Sequence, residues 1–322
     1  MSLYPLKFKP ILKERLWGGT KLKQVLGKEI SSDITGESWE LSGVNGDVSI
    51  VANGELKGGS LQELIEKYPE DLLGKGVLER FGREFPVLIK FIDAKQDLSI
   101  QLHPNDELAK KRHNSFGKTE MWYVMDADKD AELIVGFNKT VTKEEYAKSI
   151  EDNTLLDLLN YEKVSEGDTF FINTGKIHAI GAGVLLAEIQ QTSDITYRVF
   201  DFNRKDKDGK YRELHTDLAL DAIDYEKKDD FKIAYSQDKD KVNAMVTCPY
   251  FTTNFLDLTQ PLEVDVTNRN SFTIYLCVEG AASITNEFGQ VDLQKGQTIL
   301  VPAVSKTIHI NTTKAKLLEV TI

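Results

Sequence analysis

The chain has 322 residues, 41% of them apolar and 28% charged, which places it among globular proteins with room for one large domain and a smaller one, and excludes a disordered or fibrous class. Its formal net charge is -11, and no basic stripe offsets it, so binding to nucleic acid or to an anionic membrane surface is not expected. An anionic small substrate fits only if a few Lys or Arg side chains converge locally against the global field.

The opening MSLYPLKFKPILKERLWGG carries Lys and Arg throughout and lacks an apolar h-region, and no later run approaches membrane-spanning length. The expectation is a cytoplasmic protein. Leu61, Leu64, Ile65 and Tyr68 recur at helical spacing after Ser60, a suitable N-cap, which predicts a helix over 60–81. A second helix is predicted over 142–159. There Thr142 and Glu145 resemble a capping box, and Tyr146, Ile150, Leu155, Leu158 and Leu159 supply an apolar face. A shorter helix fits 214–224.

Nearly everything else reads as short strands rich in Val, Ile, Phe, Tyr and Thr between Gly, Asn and Asp turns, as at 86–92, 121–125, 168–172, 273–278 and 297–301. No strand, glycine loop and helix follow one another, which removes the common nucleotide-binding folds. The charged stretch 225–241 reads as a solvated connection. A domain of residues 1–240 with helical insertions is therefore expected ahead of a smaller jelly-roll-like domain, 241–322. A weak repeat supports that division: EGDTFFINTGKIHAI from Glu166 resembles KGQTILVPAVSKTIHI from Lys295, pairing His178 with His309 and Glu188 with Glu319. The second copy lacks upstream counterparts of the other metal-type residues, so it is expected to hold no metal. Cys248 and Cys277, the only cysteines, read as buried structural thiols rather than a disulfide framework.

Three segments carry candidate chemistry. In DLSIQLHPND, period-two alternation puts Ser99, Gln101 and His103 on one strand face, which looks either into solvent or into a polar cavity. In GKTEMWYVM, Lys118 and Glu120 share a face; Glu120 is either a carboxylate ligand or half of a surface pair. His178 sits in the apolar stretch KIHAIGAGVLLAEI, as a ligand or as a core histidine bonded to a carbonyl. Two imidazoles and a carboxylate with an open position form a donor set used by catalytic zinc, and Gln101 offers a fourth ligand. The same donors accept Mn, Fe, Co or Ni.

The segments PVLIKFIDAKQDLSIQLHPND, GKTEMWYV, INTGKIHAIGAG and EIQQTSDITYRVFDFNR, with RLWGG near Arg15 and GESWELS near Gly36, resemble in order and separation the short bacterial form of the type I mannose-6-phosphate isomerases. The likeness spans most of residues 5–220 and fades beyond. It implies a mainly β, cupin-type jelly-roll catalytic domain and one Zn²⁺ held by His103, Glu120 and His178. Gln101 stands where longer eukaryotic relatives place a zinc-ligating glutamine, and Arg198 falls on the family's active-site arginine. NTGKIHAI departs from the family's proline-containing turn, with Asn173 and Thr174 instead.

The implied reaction is aldose–ketose isomerisation of a sugar phosphate through proton transfer between adjacent carbons. Lys118 or Glu188 would assist that transfer, with Lys118 lowered in pKa by a nearby cation. Arg198 would neutralise charge on the enediolate or the phosphate, and Gln101 and Ser99 would contact the sugar. Arg204, in NRKDKDGK, reads as a solvated turn residue. A cupin-type sugar-binding regulator and an isomerase or epimerase for a different sugar phosphate are the competing readings. No sequence feature sets an oligomeric state.

Overall fold

Alternating burial along the strands decides how the chain layers in this computed structural model, which describes residues 3–206 and 208–322. A short strand β1 (Leu6–Lys7) comes first, followed by β2 (Ile11–Gly19), helix α1 (Lys21–Gln24) and β3 (Thr35–Leu41). Helices α2 (Leu61–Lys67), α3 (Pro69–Leu73) and α4 (Lys75–Phe81) precede β4 (Val87–Ala94). Next come β5 (Ile100–Leu102), α5 (Asp106–His113), β6 (Glu120–Ala127), β7 (Glu132–Phe137) and α6 (Lys143–Glu151). Strands β8 (Leu159–Lys163), β9 (Thr169–Ile172), β10 (His178–Ile180), β11 (Val184–Gln191) and β12 (Tyr197–Phe200) follow, then α7 (Thr216–Ala219). The rest is strand: β13 (Val242–Thr247), β14 (Thr252–Leu258), β15 (Leu262–Asp265), β16 (Thr273–Asn286), β17 (Gly289–Gln294), β18 (Thr298–Val301) and β19 (Thr307–Thr321).

These strands form three sheets: a six-stranded one in the order β2-β3-β4-β11-β6-β9, a five-stranded one in the order β12-β5-β10-β7-β8, and an eight-stranded one built on β1-β18-β16-β19-β14-β13. The mainly β, jelly-roll expectation holds. Strands β4 and β11 are buried along their whole length, because the six-stranded sheet is covered on both faces. Its odd-numbered residues, such as Ile89, Phe91, Met121, Tyr123, Ala187 and Ile189, pack with Phe255, Leu318 and Val320 of the eight-stranded sheet. Even-numbered Ile92, Trp122, Val124 and Leu186 pack with Leu133, Val135 and Ile180 of the five-stranded sheet. One face of the same strands thus serves the inter-sheet seam and the other the sandwich interior.

The helix expected over 60–81 is three helices. Its Ser60 N-cap is part of a full capping box, with Ser60 accepting from the Glu63 amide and Glu63 returning the bond. Pro69, which has no N–H to continue the ladder, starts a new helix. Gly74 at φ 88 ends that one, in contact with the 270 loop. Likewise the 142–159 helix stops at Glu151 after its Thr142 capping box, Asn153 turns the chain at φ 57, and a 3-10 turn spans Leu155–Leu158. Only four residues of 214–224 are helical. Helix α5 was not expected, because only Ala109 of it is buried and no apolar stripe marks it. It forms on its ends: Asn105 caps the Leu108 amide, Asp106 and Glu107 lie in the first turn, and Lys110, Lys111 and Arg112 in the last.

Both cysteines are free, but only Cys277 is buried while Cys248 is half-exposed. No helix among the described residues is long and apolar enough to cross a membrane.

Strand β1 belongs to the sheet of the C-terminal strands, with Leu6 opposite Leu300 and Lys7 opposite Ile299. The fully buried Leu6 shares one core with Val87, Ile274 and Leu300. Leu6→Ala is expected to lower stability by roughly 2–5 kcal/mol, the usual range for emptying such a site, as read by urea unfolding; a loss well under about 1 kcal/mol would show that the N-terminal strap is dispensable.

Candidate metal centre and cavity

Period-two alternation brings the polar residues of both sandwich sheets to one end of its interior. On the six-stranded sheet, Glu188 of β11 stands opposite Lys90 of β4 and Trp122 of β6, and Gln190 opposite Glu120. On the five-stranded sheet, His178 of β10 pairs with Gln101 of β5, which also pairs with Arg198 of β12. Just past the end of β5, His103 projects from the same face as Gln101 and Ser99. Thus Ser99, Gln101, Lys118, His178, Glu188 and Arg198 line one cavity of about 460 Å³. His103 and Glu120, 1% and 0% exposed, lie behind that lining and accept from Lys118.

Ligand atoms of His103, Glu120 and His178 lie within 4.8 Å of one another. The Nε2 atoms of His103 and His178 stand 3.6 and 3.5 Å from the two Glu120 carboxylate oxygens. Each ring turns Nδ1 to a backbone carbonyl at 2.8 Å, of Ile195 for His103 and of Lys176 for His178. A carbonyl only accepts, so Nδ1 carries the proton and Nε2 presents its lone pair inward. Such outer bonds are what orient metal-bound imidazoles. Burial holds both rings neutral: His178 is pushed down to about 3, and His103 falls well below its ordinary value, with Lys118 and His178 adding to the effect. Among the described residues, His178 Nε2 and Glu120 Oε1 are buried without any hydrogen-bond partner, a costly arrangement that a cation between them would relieve. The donor set fits a metal.

Lys118 donates to Glu120 Oε2 at 2.6 Å and to His103 Nε2 at 3.0 Å. An imidazole nitrogen has one lone pair, so acceptance from Lys118 and metal ligation at His103 exclude one another. The expected fall in the Lys118 pKa is reversed in this arrangement. Burial lowers it, but the charges of Glu120 and Glu188 outweigh burial and raise it. Glu188 meets the same logic from the other side. Burial would raise its pKa, yet Lys90 and Lys118 hold it below the carboxylate range, with Lys90 Nζ at 3.0 Å and the Trp122 indole N–H at 3.0 Å. Glu120, the partner of Lys118, is pushed up to about 7 by burial and by the like charge of Glu188.

Arg198 has only neutral acceptors among its hydrogen bonds, Ser99 Oγ at 3.2 Å and the Glu213 carbonyl at 3.0 Å. Burial and the nearby Arg212 lower its pKa, the mark of guanidinium groups crowded on one cavity. Gln101 accepts from Ser99 at 3.4 Å. Arg204 is no solvated turn residue: it bonds Asp201 at 2.6 Å, as Arg212 also does. His309 lies on β19, half-exposed beside Glu263, whereas Glu319 is buried and held by Arg269, Tyr275 and Asn254. The weak repeat therefore matches burial at the glutamate and not at the histidine.

Sequence reasoning passed over Arg15, Glu37, Trp39, Lys90, Asp194 and Arg212, all of which line the cavity. Lys90 left a signal, as the single charge in the apolar run PVLIKFI. In all, five Lys or Arg face three carboxylates around the cavity, so cations do converge locally in a chain of net charge -11.

A family model described as the type I phosphomannose isomerase catalytic domain matches residues 5–147, and one described as the mannose-6-phosphate isomerase cupin domain matches 241–322. Likeness to this family therefore does not fade in the C-terminal strands. The chain is 40% identical over 305 residues to the mannose-6-phosphate isomerase ManA of Bacillus subtilis, covering 94% of each protein. A crystal structure of the mannose 6-phosphate isomerase from Bacillus subtilis superposes with a TM-score of 0.90 at 34% identity, covering 99% of this chain and 100% of the other. The fold is shared at 18% identity with the apo mannose 6-phosphate isomerase of Salmonella typhimurium, TM-score 0.78, covering 98% of each chain.

Replacing His103, Glu120 or His178 with Ala is expected to abolish metal retention through purification, measured as metal per chain, while His309→Ala retains it. Equal metal content in all four variants would rule out this centre.

Proposed function

Because the chain belongs to the type I mannose-6-phosphate isomerase family, we propose that it interconverts mannose 6-phosphate and fructose 6-phosphate as a Zn²⁺-dependent aldose–ketose isomerase. The observation that carries this reading is that the His103, Glu120 and His178 donors cluster directly behind a cavity that His178 lines together with Lys118, Glu188 and Arg198. Its cationic lining suits a phosphorylated sugar, since guanidinium groups bind phosphate oxygens in pairs. A zinc ion held by the two Nε2 atoms and the Glu120 carboxylate would supply Lewis-acid polarisation of the sugar oxygens.

Isomerisation takes the proton from C2, passes through an enediolate and returns a proton to C1, while the hydroxyl proton moves between O1 and O2. One group must therefore accept and donate in turn. We assign this to Lys118 in its neutral form: with a cation on His103 and Glu120, the two acceptors that hold it as an ammonium would be taken, and the free amine would accept the C2 proton and return it to C1 as the ammonium. Glu188 keeps Lys90 and Lys118 in place and takes hydrogen bonds from sugar hydroxyls. Its depressed pKa makes it a weak base, and Lys90 and Trp122 already occupy its oxygens. Arg198, fixed by Ser99 and the Glu213 carbonyl, sets its charge against the phosphate or the enediolate. Ser99 and Gln101 line the cavity as sugar contacts, with Gln101 beside the ligand His178 in the sheet.

Residues 1–240 are proposed as the catalytic unit and 241–322 as a unit without metal, whose interior is filled by Leu256, Tyr275, Cys277, Ile284, Leu293 and Leu317. A cytoplasmic location suits a sugar-phosphate enzyme.

The test is a coupled assay with mannose 6-phosphate, glucose 6-phosphate and unphosphorylated mannose. Turnover of the first alone is expected, lost on chelation and restored by zinc, with Lys118→Ala lowering kcat by roughly 10²–10⁴-fold, the range for a general acid–base group. Sugar binding without turnover would mark a regulator, and turnover of another sugar phosphate would replace the substrate.

A further inference from the structure

One side chain of the C-terminal unit reaches a residue three positions from the candidate ligand His103. Tyr250 sits in the turn between β13 and β14, where the Cys248 amide bonds the Phe251 carbonyl. Its hydroxyl reaches out of the eight-stranded sheet and donates to Asp106 Oδ2. Asp106 is the first residue of α5, three positions after His103. Its other oxygen, Oδ1, accepts from the Gly117 amide at 2.8 Å and from Gln191 Nε2 at 3.1 Å. Gln191 in turn accepts from the Thr119 amide at 2.8 Å, and its own amide donates to the Thr119 carbonyl at 3.0 Å.

In the Gly117–Glu120 segment, Gly117 directly and Thr119 through Gln191 are thus tied to one carboxylate. The approach is close enough to require glycine, because a Cβ on Gly117 would lie 2.7 Å from the Asp106 nitrogen. Within that segment stand Lys118 and Glu120, and just before Asp106 stands His103. Rotation of the Asp106 carboxylate would therefore release the Gly117 amide and the Gln191 side chain, which hold the segment that carries Lys118 and Glu120. The Tyr250 hydroxyl is what Oδ2 bonds to; a phenylalanine would leave that oxygen unbonded and the carboxylate free to turn.

We propose that Tyr250 is a positioning residue: through Asp106, the unit of residues 241–322 holds the Gly117–Glu120 segment in register with His103 and His178. This rests on the reading of those residues as the metal centre of an isomerase. It gives the C-terminal unit a part in catalysis although it contributes no residue to the cavity. Loss of such supporting bonds costs metal sites roughly 10–100-fold in affinity or activity, and displacement by about 1 Å is enough to cost a similar factor in rate.

The experiment compares the full-length zinc-loaded enzyme with Tyr250→Phe, Asp106→Ala and Asp106→Asn, reading kcat, KM, zinc affinity by chelator competition and the thermal midpoint. Tyr250→Phe is expected to lower kcat and zinc affinity by roughly tenfold, with KM within about twofold. Asp106→Asn, whose amide oxygen still accepts from Gly117 and Gln191, is expected to recover most of what Asp106→Ala loses. A Tyr250→Phe enzyme that matches the wild type in kcat and zinc affinity, whatever its thermal midpoint, overturns the inference. So does an Asp106→Asn enzyme no better than Asp106→Ala. A wild-type chain that neither retains zinc nor turns over mannose 6-phosphate sinks the functional reading and this inference together, whereas an active wild type with an unaffected Tyr250→Phe sinks this inference alone.

Discussion

The central six-stranded sheet is covered on both faces, so each charge its strands carry inward has to meet a counter-charge. Lys90 and Glu188 do so across neighbouring strands, and Lys118 and Glu120 do so along one. Two lysines and two glutamates leave the group neutral. Buried pairs of this kind add little net stability, because desolvation consumes most of the attraction, but removing one member strands its partner at a cost of roughly 3–5 kcal/mol. Their presence in the interior of a sandwich whose other inward residues are Ile92, Val124, Leu133 and Leu186 therefore points to chemistry rather than to folding.

That neutral group also explains how the candidate metal donors are kept in place. Burial keeps both imidazoles uncharged, the Ile195 and Lys176 carbonyls fix their tautomers, and Lys118 caps the Glu120 and His103 atoms that a cation would otherwise take. The donors are oriented before any ion arrives. Around them the arginines oppose the overall negative charge of the chain. Field lines from a small cationic cavity in an anionic protein are local, which favours a compact anion over a polyanion.

The C-terminal sheet shows the same economy in another form. Its inward residues pack into a core of their own, and its buried Glu319 is satisfied by Arg269, Tyr275 and Asn254. What it does offer is a large apolar face against β4, β6 and β11, and a polar contact from Tyr250 to Asp106.

Much of this was legible in the residues themselves. Period-two alternation put Ser99 and Gln101 on the face of His103, and Lys118 on that of Glu120, because the pleat of a strand allows nothing else. An N-cap at Ser60 and a capping box at Thr142 marked two helix starts, since such partners lie within four residues. Helix lengths were less readable: Pro69 and Gly74 interrupt a continuous apolar pattern, and α5 has ends but no buried stripe. Family resemblance, not spacing, singled out His103, Glu120 and His178 from their solvent and core alternatives. Only the tertiary structure could pair Lys90 with Glu188, bring Arg15 and Arg212 to the cavity, place β1 beside β18, or join Tyr250 to Asp106. Local pattern determines which face a side chain takes, because backbone geometry is local. Which faces meet depends on how three sheets stack, and that is a property of the whole chain's burial.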